Sequence, residues 1–437
     1  MVLSSLRVRR RLSRRPAVTL LDVFRQHARS RPRRPLLLFQ DGVYTFQEVE
    51  SLSNRAAWAL WRRLGLRSGR TVAVFLPNEP AYLWTWLALA KLGCPMACLN
   101  SNVRGRALRH ALEAAQATLV LASPELRQAV EEVLPDLERD GVRVFYLSSA
   151  SPTPGVEALL PAIEAGARRA AARPGNRAGV SADSKAMYIY TSGTTGQHRE
   201  AGGVLGLTMV DPPGPGVTQP CPRGQVSTER LEVSWGLTVV AHLVQVCPGR
   251  VHVDRSAWAG LPKAAVITEM KLMMVASLGR ICGLRPDDVV YTTLPLYHSA
   301  GLLVGLGGCL EVGPRCGRSS LRRFGPVDVR EFYGATEGNA GFINYTGKVG
   351  AVGRANRFLK LLAPFELIRY DVDEDAPARD RRGLCVPVAP GETGLLVVKI
   401  TKNTPFHGYA GDARKTEKKI LRDVLAKGDA FFTAATC

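Results

Sequence analysis

The sequence predicts an α/β protein built on a parallel sheet. Short apolar runs, such as residues 71–76 and 118–122, are bounded by polar turns and are typical of buried strands. Between them lie stretches with apolar residues at helical spacing, for example residues 106–116. Strands that alternate with helices pair in parallel through right-handed crossovers. The length of 437 residues and the 46% hydrophobic content allow a large core and two or three domains.

The first elements have clear local signals. Asp41 and Gly42 form a turn signal between two apolar runs, which predicts a β-hairpin. Thr45 and Glu48 have the spacing of a capping box, so a helix should begin near Phe46.

The most apolar stretch of the chain is residues 81–99. It contains Lys91 and is interrupted by Gly93 and Pro95. Because a membrane-spanning helix needs about 20 continuous apolar residues, we expect a buried helix followed by a strand instead.

The charge balance points to anionic partners. The net charge is +20, and the first 15 residues contain six arginines and no acidic residue. ATP, coenzyme A and an acidic membrane surface are candidate partners, and no recognisable nucleic-acid module is present, so we expect no specific nucleic acid. The arm at residues 1–18 is interpreted as a mitochondrial presequence, a polybasic membrane contact or a solvated tail.

Cysteine usage argues against an extracellular framework. The nine cysteines are irregularly spaced and contain no Cys-x-x-Cys pair. We therefore expect reduced thiols rather than disulfides or a zinc site.

A hydroxyl- and glycine-rich segment follows a short apolar run at residues 186–190 that predicts a strand. Glycines lack the Cβ that would block close approach, so backbone N–H groups and hydroxyls can contact phosphate oxygens. The segment differs from the Gly-x-x-x-x-Gly-Lys-Ser/Thr nucleotide loop, and a flexible turn is the alternative. Its residues are Thr191, Ser192, Gly193, Thr194, Thr195 and Gly196.

These six residues resemble the phosphate-binding motif of the adenylate-forming, acyl-CoA synthetase superfamily. The residues Leu-Pro-Lys-Ala-Ala at 261–265 and the segments 291–301 and 333–339 resemble further motifs of that superfamily, in the same order. The residues of these motifs are most similar to those of the fatty acid transport protein, or very-long-chain acyl-CoA synthetase, branch. The resemblance implies the large N-terminal domain of an adenylate-forming enzyme, with βα-alternating sheets sandwiched by helices.

The resemblance also divides the chain, because three parts depart from the family pattern. Residues 197–260 are expected to be a disordered insertion, read as translated non-coding sequence or a mis-joined gene model, with a regulatory loop as the alternative. Residues 314–323 form an aberrant joint, and a small C-terminal domain is expected to be missing. The expected AMP-binding domain therefore comprises residues 19–196, 261–313 and 324–437.

By resemblance, residues 191–196 hold the β- and γ-phosphates of ATP, and Lys263 adds a positive charge. Glu337 is the expected magnesium ligand, with the Thr336 hydroxyl beside it, because Mg²⁺ prefers carboxylate and phosphate oxygens. Tyr333 is expected to stack on adenine, and Gly334 is expected to contact the nucleotide. His298 is expected to contact the acyl group. A histidine satisfied in the core is the alternative for His298.

The function implied is a long-chain or very-long-chain fatty acid–CoA ligase that forms an acyl-adenylate. ATP, Mg²⁺, coenzyme A and a fatty acid are the implied cofactors and substrates, with peripheral contact to the endoplasmic reticulum membrane or, from the arginine-rich arm, a mitochondrial location. Because family positions near the C-terminus are not found, we expect impaired activity. The alternative is a non-catalytic truncated isoform that binds nucleotide, fatty acid or a partner.

Overall fold

The computed structural model describes residues 2–166, 179–193, 204–210, 238–244, 260–292, 294–313, 315–318, 327–339, 341–344, 360, 364–371, 373–402 and 404–436. Helices in this part are α1 (Val2–Leu12), α2 (Leu20–Ser30), α3 (Phe46–Arg62), α4 (Pro80–Leu92), α5 (Gly105–Ala114), α6 (Arg127–Arg139), α7 (Leu160–Ala165), α8 (Glu269–Ala276), α9 (Leu278–Ile281), α10 (Gly307–Val312) and α11 (Ala413–Glu417). A 3₁₀ turn at Pro124–Leu126 precedes α6, and a π-helical segment at Ala300–Leu306 precedes α10.

Strands up to the middle of the chain are β1 (Pro35–Phe39), β2 (Gly42–Thr45), β3 (Val72–Phe75), β4 (Met96–Cys98), β5 (Leu119–Ala122), β6 (Arg143–Tyr146), β7 (Glu157–Ala158), β8 (Lys185–Gly193), β9 (Val204–Val210), β10 (Thr238–Val244) and β11 (Gly260–Thr268). Later strands are β12 (Val289–Thr292), β13 (Arg315–Arg318), β14 (Val327–Gly334), β15 (Gly341–Ile343), β16 (Phe365–Ile368), β17 (Tyr370–Asp371), β18 (Ala376–Pro377), β19 (Leu395–Lys399), β20 (Ile420–Arg422) and β21 (Ala430–Thr436).

A seven-stranded sheet forms the centre of the fold, in the order β11-β8-β4-β3-β5-β6-β7. The strands from β8 to β7 in this order pair in parallel, whereas β11 pairs antiparallel with β8 at the edge. Alternate residues of one strand enter different cores: Val72 and Val74 join one cluster, and Ala73 and Phe75 the other. Both faces of the sheet are therefore covered, which confirms the predicted α/β architecture.

The hairpin and capping box near the N-terminus are confirmed. Strands β1 and β2 pair antiparallel, and α3 begins at Phe46. The Thr45 side chain accepts a hydrogen bond from the Glu48 amide, and the Glu48 carboxylate accepts one from the Thr45 amide over 2.7 Å. Two of the free amides at the start of the helix are thereby satisfied.

The apolar stretch at residues 81–99 is a buried helix followed by a strand, as predicted. Helix α4 ends at Leu92, and Gly93 adopts a left-handed conformation (φ +67°) before β4 begins. Lys91 is fully buried and donates hydrogen bonds to Glu50 and Ser53. Among the described helices, none has both the length and the apolar character needed to cross a membrane.

An eight-stranded sheet, in the order β15-β14-β9-β10-β12-β13-β1-β2, lies beside the first. Its strands β9 and β10 fall within residues 197–260, for which the sequence predicted disorder, and β13 falls within the joint at 314–323. The difference has a physical cause: β9 pairs along its length with both β10 and β14, so its backbone groups find partners. The remainder of residues 197–259 lies outside the described residues.

The later part of the chain adds a four-stranded antiparallel sheet, β16-β19-β21-β20. Its core is formed by Ile368, Val397, Val424 and Phe431, each at most 1% exposed. This sheet anchors the segment between β19 and α11, which reaches back to β11.

The arginine-rich arm forms helix α1 and packs against the body. Val8 and Leu12 on its inner face are buried, and the guanidinium of Arg11 pairs with both carboxylate oxygens of Glu311 at 2.8 and 2.9 Å. Leu6, on the opposite face, is 57% exposed. Three interpretations of this arm were open. The helix at residues 2–12 contradicts one of them, the disordered tail.

Candidate active site

The predicted phosphate-binding segment begins on strand β8. Thr191 lies opposite Lys263 on β11, and Gly193 lies opposite Gly260. The sequence predicted a loop from Thr191 onward, but the strand continues through Gly193 because β11 provides an antiparallel partner for it. The register brings the expected phosphate-binding threonine and the expected lysine side by side, although the 197–260 segment separates them in the chain.

Lys263 is buried, with 8% of its surface exposed, and its ammonium lies 5.6 Å from the ring centroid of Tyr409. The Tyr409 segment runs beside β11, where Ala265 and Tyr409 form an antiparallel bridge. Gly408 precedes the tyrosine at φ +70°, and the Tyr409 amide donates to the Thr416 hydroxyl over 3.0 Å. A left-handed glycine and a local hydrogen bond thus hold the ring against the lysine.

Glu337 follows β14 in a short turn, and its Oε1 accepts a 2.6 Å hydrogen bond from the Tyr409 hydroxyl. The carboxylate is half-buried. Tyr409 therefore connects the expected cation, Lys263, with the expected metal ligand, Glu337. A hydrogen bond from a hydroxyl to an ionised carboxylate is stronger than a neutral one, so it fixes the orientation of the carboxylate.

A second lysine supports the same turn. The Lys271 ammonium donates hydrogen bonds to the backbone carbonyls of Thr336 and Gly338, the latter at 2.8 Å. These carbonyls flank Glu337 on either side. Burial lowers the pKa of Lys271 to about 8, and the negative charge of Glu337 opposes this shift. Lys271 extends from the first turn of α8, whose start is fixed by the Thr268 side chain accepting from the Lys271 amide.

Thr336 contacts Ser299, the residue that follows His298 in the segment leading into the π-helix. The Thr336 hydroxyl lies 3.2 Å from that of Ser299. His298 is half-buried, and desolvation lowers its pKa, so the imidazole is neutral at pH 7. Its Nδ1 accepts a 3.4 Å hydrogen bond from the Ala300 amide, which assigns the proton to Nε2.

Tyr333 and Gly334 end strand β14 and pair with Phe342 and Gly341 of β15. The Tyr333 ring lies 6.2 Å from that of Phe342, which meets Phe365 edge-on at 4.7 Å. The expected adenine contact thus belongs to a short row of aromatic rings next to the Glu337 turn.

Asp412 lies within electrostatic range of Lys263. The hydrogen bonds donated by Lys415 are the main reason that the Asp412 pKa is lowered, and the positive charge of Lys263 adds to the effect. The Asp412 and Lys415 side chains form an ion pair at 2.8 Å.

The donor set at this turn fits a nucleotide-bound Mg²⁺. Glu337 offers one oriented carboxylate beside the Thr336 hydroxyl, and Mg²⁺ in such sites is held by one or two carboxylates while phosphates and water complete its shell. Within the described ranges, no group of three or more His, Cys, Asp or Glu side chains is arranged to hold a metal without such phosphates.

The structure therefore brings Thr191 next to Lys263 and links Lys263 to Glu337 and Thr336. Ser192 and Gly193 are known by their positions on strand β8, and Thr194, Thr195 and Gly196 lie outside the described residues. Sequence reasoning did not identify Tyr409 or Lys271. The available signals were weak: a tyrosine in a glycine-containing loop and a lysine on an otherwise apolar helix.

Comparisons with known proteins decide the family. The AMP-binding enzyme family matches residues 24–198. Long-chain fatty acid transport protein 2 of Rattus norvegicus is 38% identical over an alignment that covers 98% of this chain and 68% of the relative. The chain belongs to the long-chain fatty acid transport protein family.

Other members of the fatty acid transport protein family agree. Long-chain fatty acid transport protein 5 of Homo sapiens is 32% identical, with 98% of this chain and 62% of the relative covered. The chain thus spans between 62% and 68% of the length of these two relatives.

Solved structures show the fold of this fatty acid transport protein family member. An anthranilate CoA ligase in complex with anthranoyl-AMP superposes with a TM-score of 0.65 at 16% identity, covering 96% of this chain and 78% of the ligase. A long-chain-fatty-acid-CoA ligase from Archaeoglobus fulgidus gives 0.63 at 15% identity, covering 96% and 81%. The fold is that of the N-terminal domain of adenylate-forming ligases, as the sequence predicted.

Proposed function

We propose that this chain is an ATP-dependent fatty acid–CoA ligase, acting on long-chain or very-long-chain fatty acids through an acyl-adenylate. The observation that carries the proposal is the linkage of Lys263 and Glu337 by Tyr409 at the end of the β8–β11 strand pair. A buried cation and an oriented carboxylate that contact the same tyrosine suit a reaction in which two anions must meet. The names of the relatives support the substrate class.

The first step is attack of the fatty acid carboxylate on the α-phosphate of ATP, which releases pyrophosphate. Negative charge accumulates between the two anions, so fixed positive charge and hydrogen-bond donors accelerate the step. In this proposal Lys263 supplies the charge and residues 191–196 supply backbone and hydroxyl donors. Mg²⁺ bound at Glu337 would neutralise part of the phosphate charge.

The second step transfers the acyl group to the thiol of coenzyme A and releases AMP. The neutral imidazole of His298 lies beside Ser299, whose hydroxyl contacts Thr336, so we assign His298 to the wall that faces the acyl group. Its Nε2–H is a donor without a net charge, which suits a carbonyl oxygen better than it suits a phosphate.

The test is to incubate the purified protein with ATP, Mg²⁺, coenzyme A and a radiolabelled long-chain fatty acid. Acyl-adenylate or acyl-CoA formed above the level of a Glu337→Ala control supports the ligase. Nucleotide binding without product contradicts it and supports a non-catalytic isoform that binds nucleotide or fatty acid, in which activity is impaired.

We also propose that the outer face of α1 contacts an anionic membrane, at the endoplasmic reticulum or the mitochondrion. Leu6 and Arg10 lie on the face opposite Val8 and Leu12 and are exposed, and Arg14 beyond the helix is exposed as well. Each basic residue near an anionic surface contributes about 1 kcal/mol.

The membrane contact is tested with vesicles. Sedimentation with phosphatidylserine-containing vesicles should fall in Arg10→Glu/Arg14→Glu and persist in Arg70→Glu/Arg381→Glu, a matched pair of exposed arginines elsewhere. Equal sedimentation of the two double variants would contradict the contact.

A further inference from the structure

Lys271 is placed where it can shape the candidate metal site through the backbone of the Glu337 turn. Its ammonium donates to the carbonyl oxygens of Thr336 and Gly338, the residues on either side of Glu337. The same turn is closed by a 3.0 Å hydrogen bond from the Gly338 amide to the Ala335 carbonyl. Three hydrogen bonds therefore fix four consecutive residues around one carboxylate.

We propose that Lys271 is a positioning residue for Glu337, holding the turn so that its carboxylate can bind the Mg²⁺ of MgATP. This inference rests on the proposed function, because that function assigns Mg²⁺ to Glu337. Among the described hydrogen bonds, the Lys271 ammonium donates to backbone carbonyls alone, so we assign it a role through the turn and not a catalytic one.

The rigidity of the support favours this role. Helix α8 begins directly after β11, and the Thr268 side chain fixes its first turn. One continuous unit therefore carries both Lys263 and Lys271 to the site. A displacement of α8 would move the Glu337 turn relative to β11. The intact unit keeps Lys263 and Glu337 at a fixed distance from each other.

The turn also has little freedom to rearrange on its own. An added methyl group at Gly338 would lie 2.9 Å from the Ala335 Cβ and 3.3 Å from a ring carbon of Phe432. The backbone there is packed closely, so a larger residue at Gly338 could not take over the support that the Lys271 hydrogen bonds give to the turn. Removing a group that orients a metal ligand typically lowers metal affinity or activity by about 10- to 100-fold.

The experiment measures ATP binding by calorimetry, without fatty acid or coenzyme A, in Mg²⁺ and in EDTA. We expect Lys271→Met to weaken binding in Mg²⁺ by about 10-fold and to leave binding in EDTA unchanged. Lys271→Arg, which keeps donors for both carbonyls, should recover most of the loss. Lys185→Met, which removes an exposed lysine at the start of β8, is the matched control and should behave as wild type.

Several outcomes would overturn the positioning role. These are equal weakening in Mg²⁺ and EDTA, no weakening in Lys271→Met, or a wild type that binds ATP no better with Mg²⁺. Should Lys271→Met fail to fold, Lys271→Gln is measured instead, alone and with Glu337→Gln. Losses that add independently in the double variant would contradict a role exercised through Glu337. MgATP binding without acyl-adenylate formation would contradict the proposed ligase activity but not the positioning role of Lys271.

Discussion

The hydroxyl of Tyr409 donates a 2.6 Å hydrogen bond to Oε1 of Glu337. The ring of the same tyrosine lies beneath the ammonium of Lys263, 5.6 Å from centroid to nitrogen. One side chain thus makes two separable contacts, one with each charged residue of the candidate site. Substitutions that remove one contact or both can therefore distinguish their contributions.

Tyr409→Phe should weaken the site less than Tyr409→Leu. Phenylalanine loses the hydrogen bond to Glu337, which is worth about 1.5–3 kcal/mol when the acceptor is charged, but keeps the ring beneath Lys263. Leucine loses both contacts. We expect the KM for MgATP to rise in Tyr409→Phe and to rise further in Tyr409→Leu, measured by fatty acid-dependent exchange of pyrophosphate into ATP. Indistinguishable KM values for the two variants would contradict a cation–π contribution.

Lys263→Met should reduce the rate of the adenylation step by about 100-fold, the usual effect of removing one group that stabilises developing negative charge. Rapid chemical quenching of the reaction before steady state, followed by quantification of the acyl-adenylate formed, measures this step directly. Lys415→Met is a suitable control, because Lys415 is a nearby lysine that pairs with Asp412 at 2.8 Å and makes no contact with Glu337 among the described hydrogen bonds. A similar rate loss in both variants would mean that general positive charge, not the position of Lys263, is responsible.

The fold was accessible from the sequence where the signals are local. The capping box of Thr45 and Glu48, the end of α4 at Gly93 and the apolar strands β3 and β5 each depend on residues within a few positions of one another. Lys263 and Glu337 were identified differently, through short motifs that resemble those of a family. Their side chains are connected only in three dimensions.

The residues that were missed act across long separations in the chain. Tyr409 reaches Glu337 because its segment bridges to Ala265 of β11, and a loop residue carries no periodicity that would predict such a bridge. Lys271 lies among apolar residues of α8, where a lysine is normally read as solvated. Strands β9 and β10 were missed for a related reason: their stability comes from partners on β14 and β12, not from their own turn-rich surroundings.

The buried Lys91 predicts a pH dependence of stability. Burial lowers its pKa to about 8, against the opposing charge of Glu50, from the ordinary value of 10.5. Between these values the unfolded chain binds more protons than the folded chain, so stability rises with pH. From pH 7.5 to 9.5 we expect wild type to gain about 2 kcal/mol relative to Lys91→Met.

Urea unfolding followed by tryptophan fluorescence measures this difference, since Trp84 and Trp86 lie on the same helix as Lys91. Comparison with Lys91→Met removes the contributions of other groups that titrate in this range. A difference between the two proteins that shrinks as the pH rises would mean that the folded state keeps the Lys91 proton more tightly than the unfolded state does.

The ion pair between Arg11 and Glu311 should determine whether α1 stays on the body. Glu311 is 2% exposed, and its other partner among the described ion pairs is Arg280 at 3.7 Å. Breaking a buried pair leaves an uncompensated charge and typically costs about 3–5 kcal/mol, and the remaining Arg280 brings our expectation for Arg11→Met to about 2 kcal/mol. Trypsin should then cleave α1 faster, because its arginines become accessible when the helix detaches.

The double variant Arg11→Met/Glu311→Gln removes the buried charge together with its partner and should recover most of the stability. If the single and double variants melt and are cleaved alike, the burial of Val8 and Leu12, and not the ion pair, holds the arm in place.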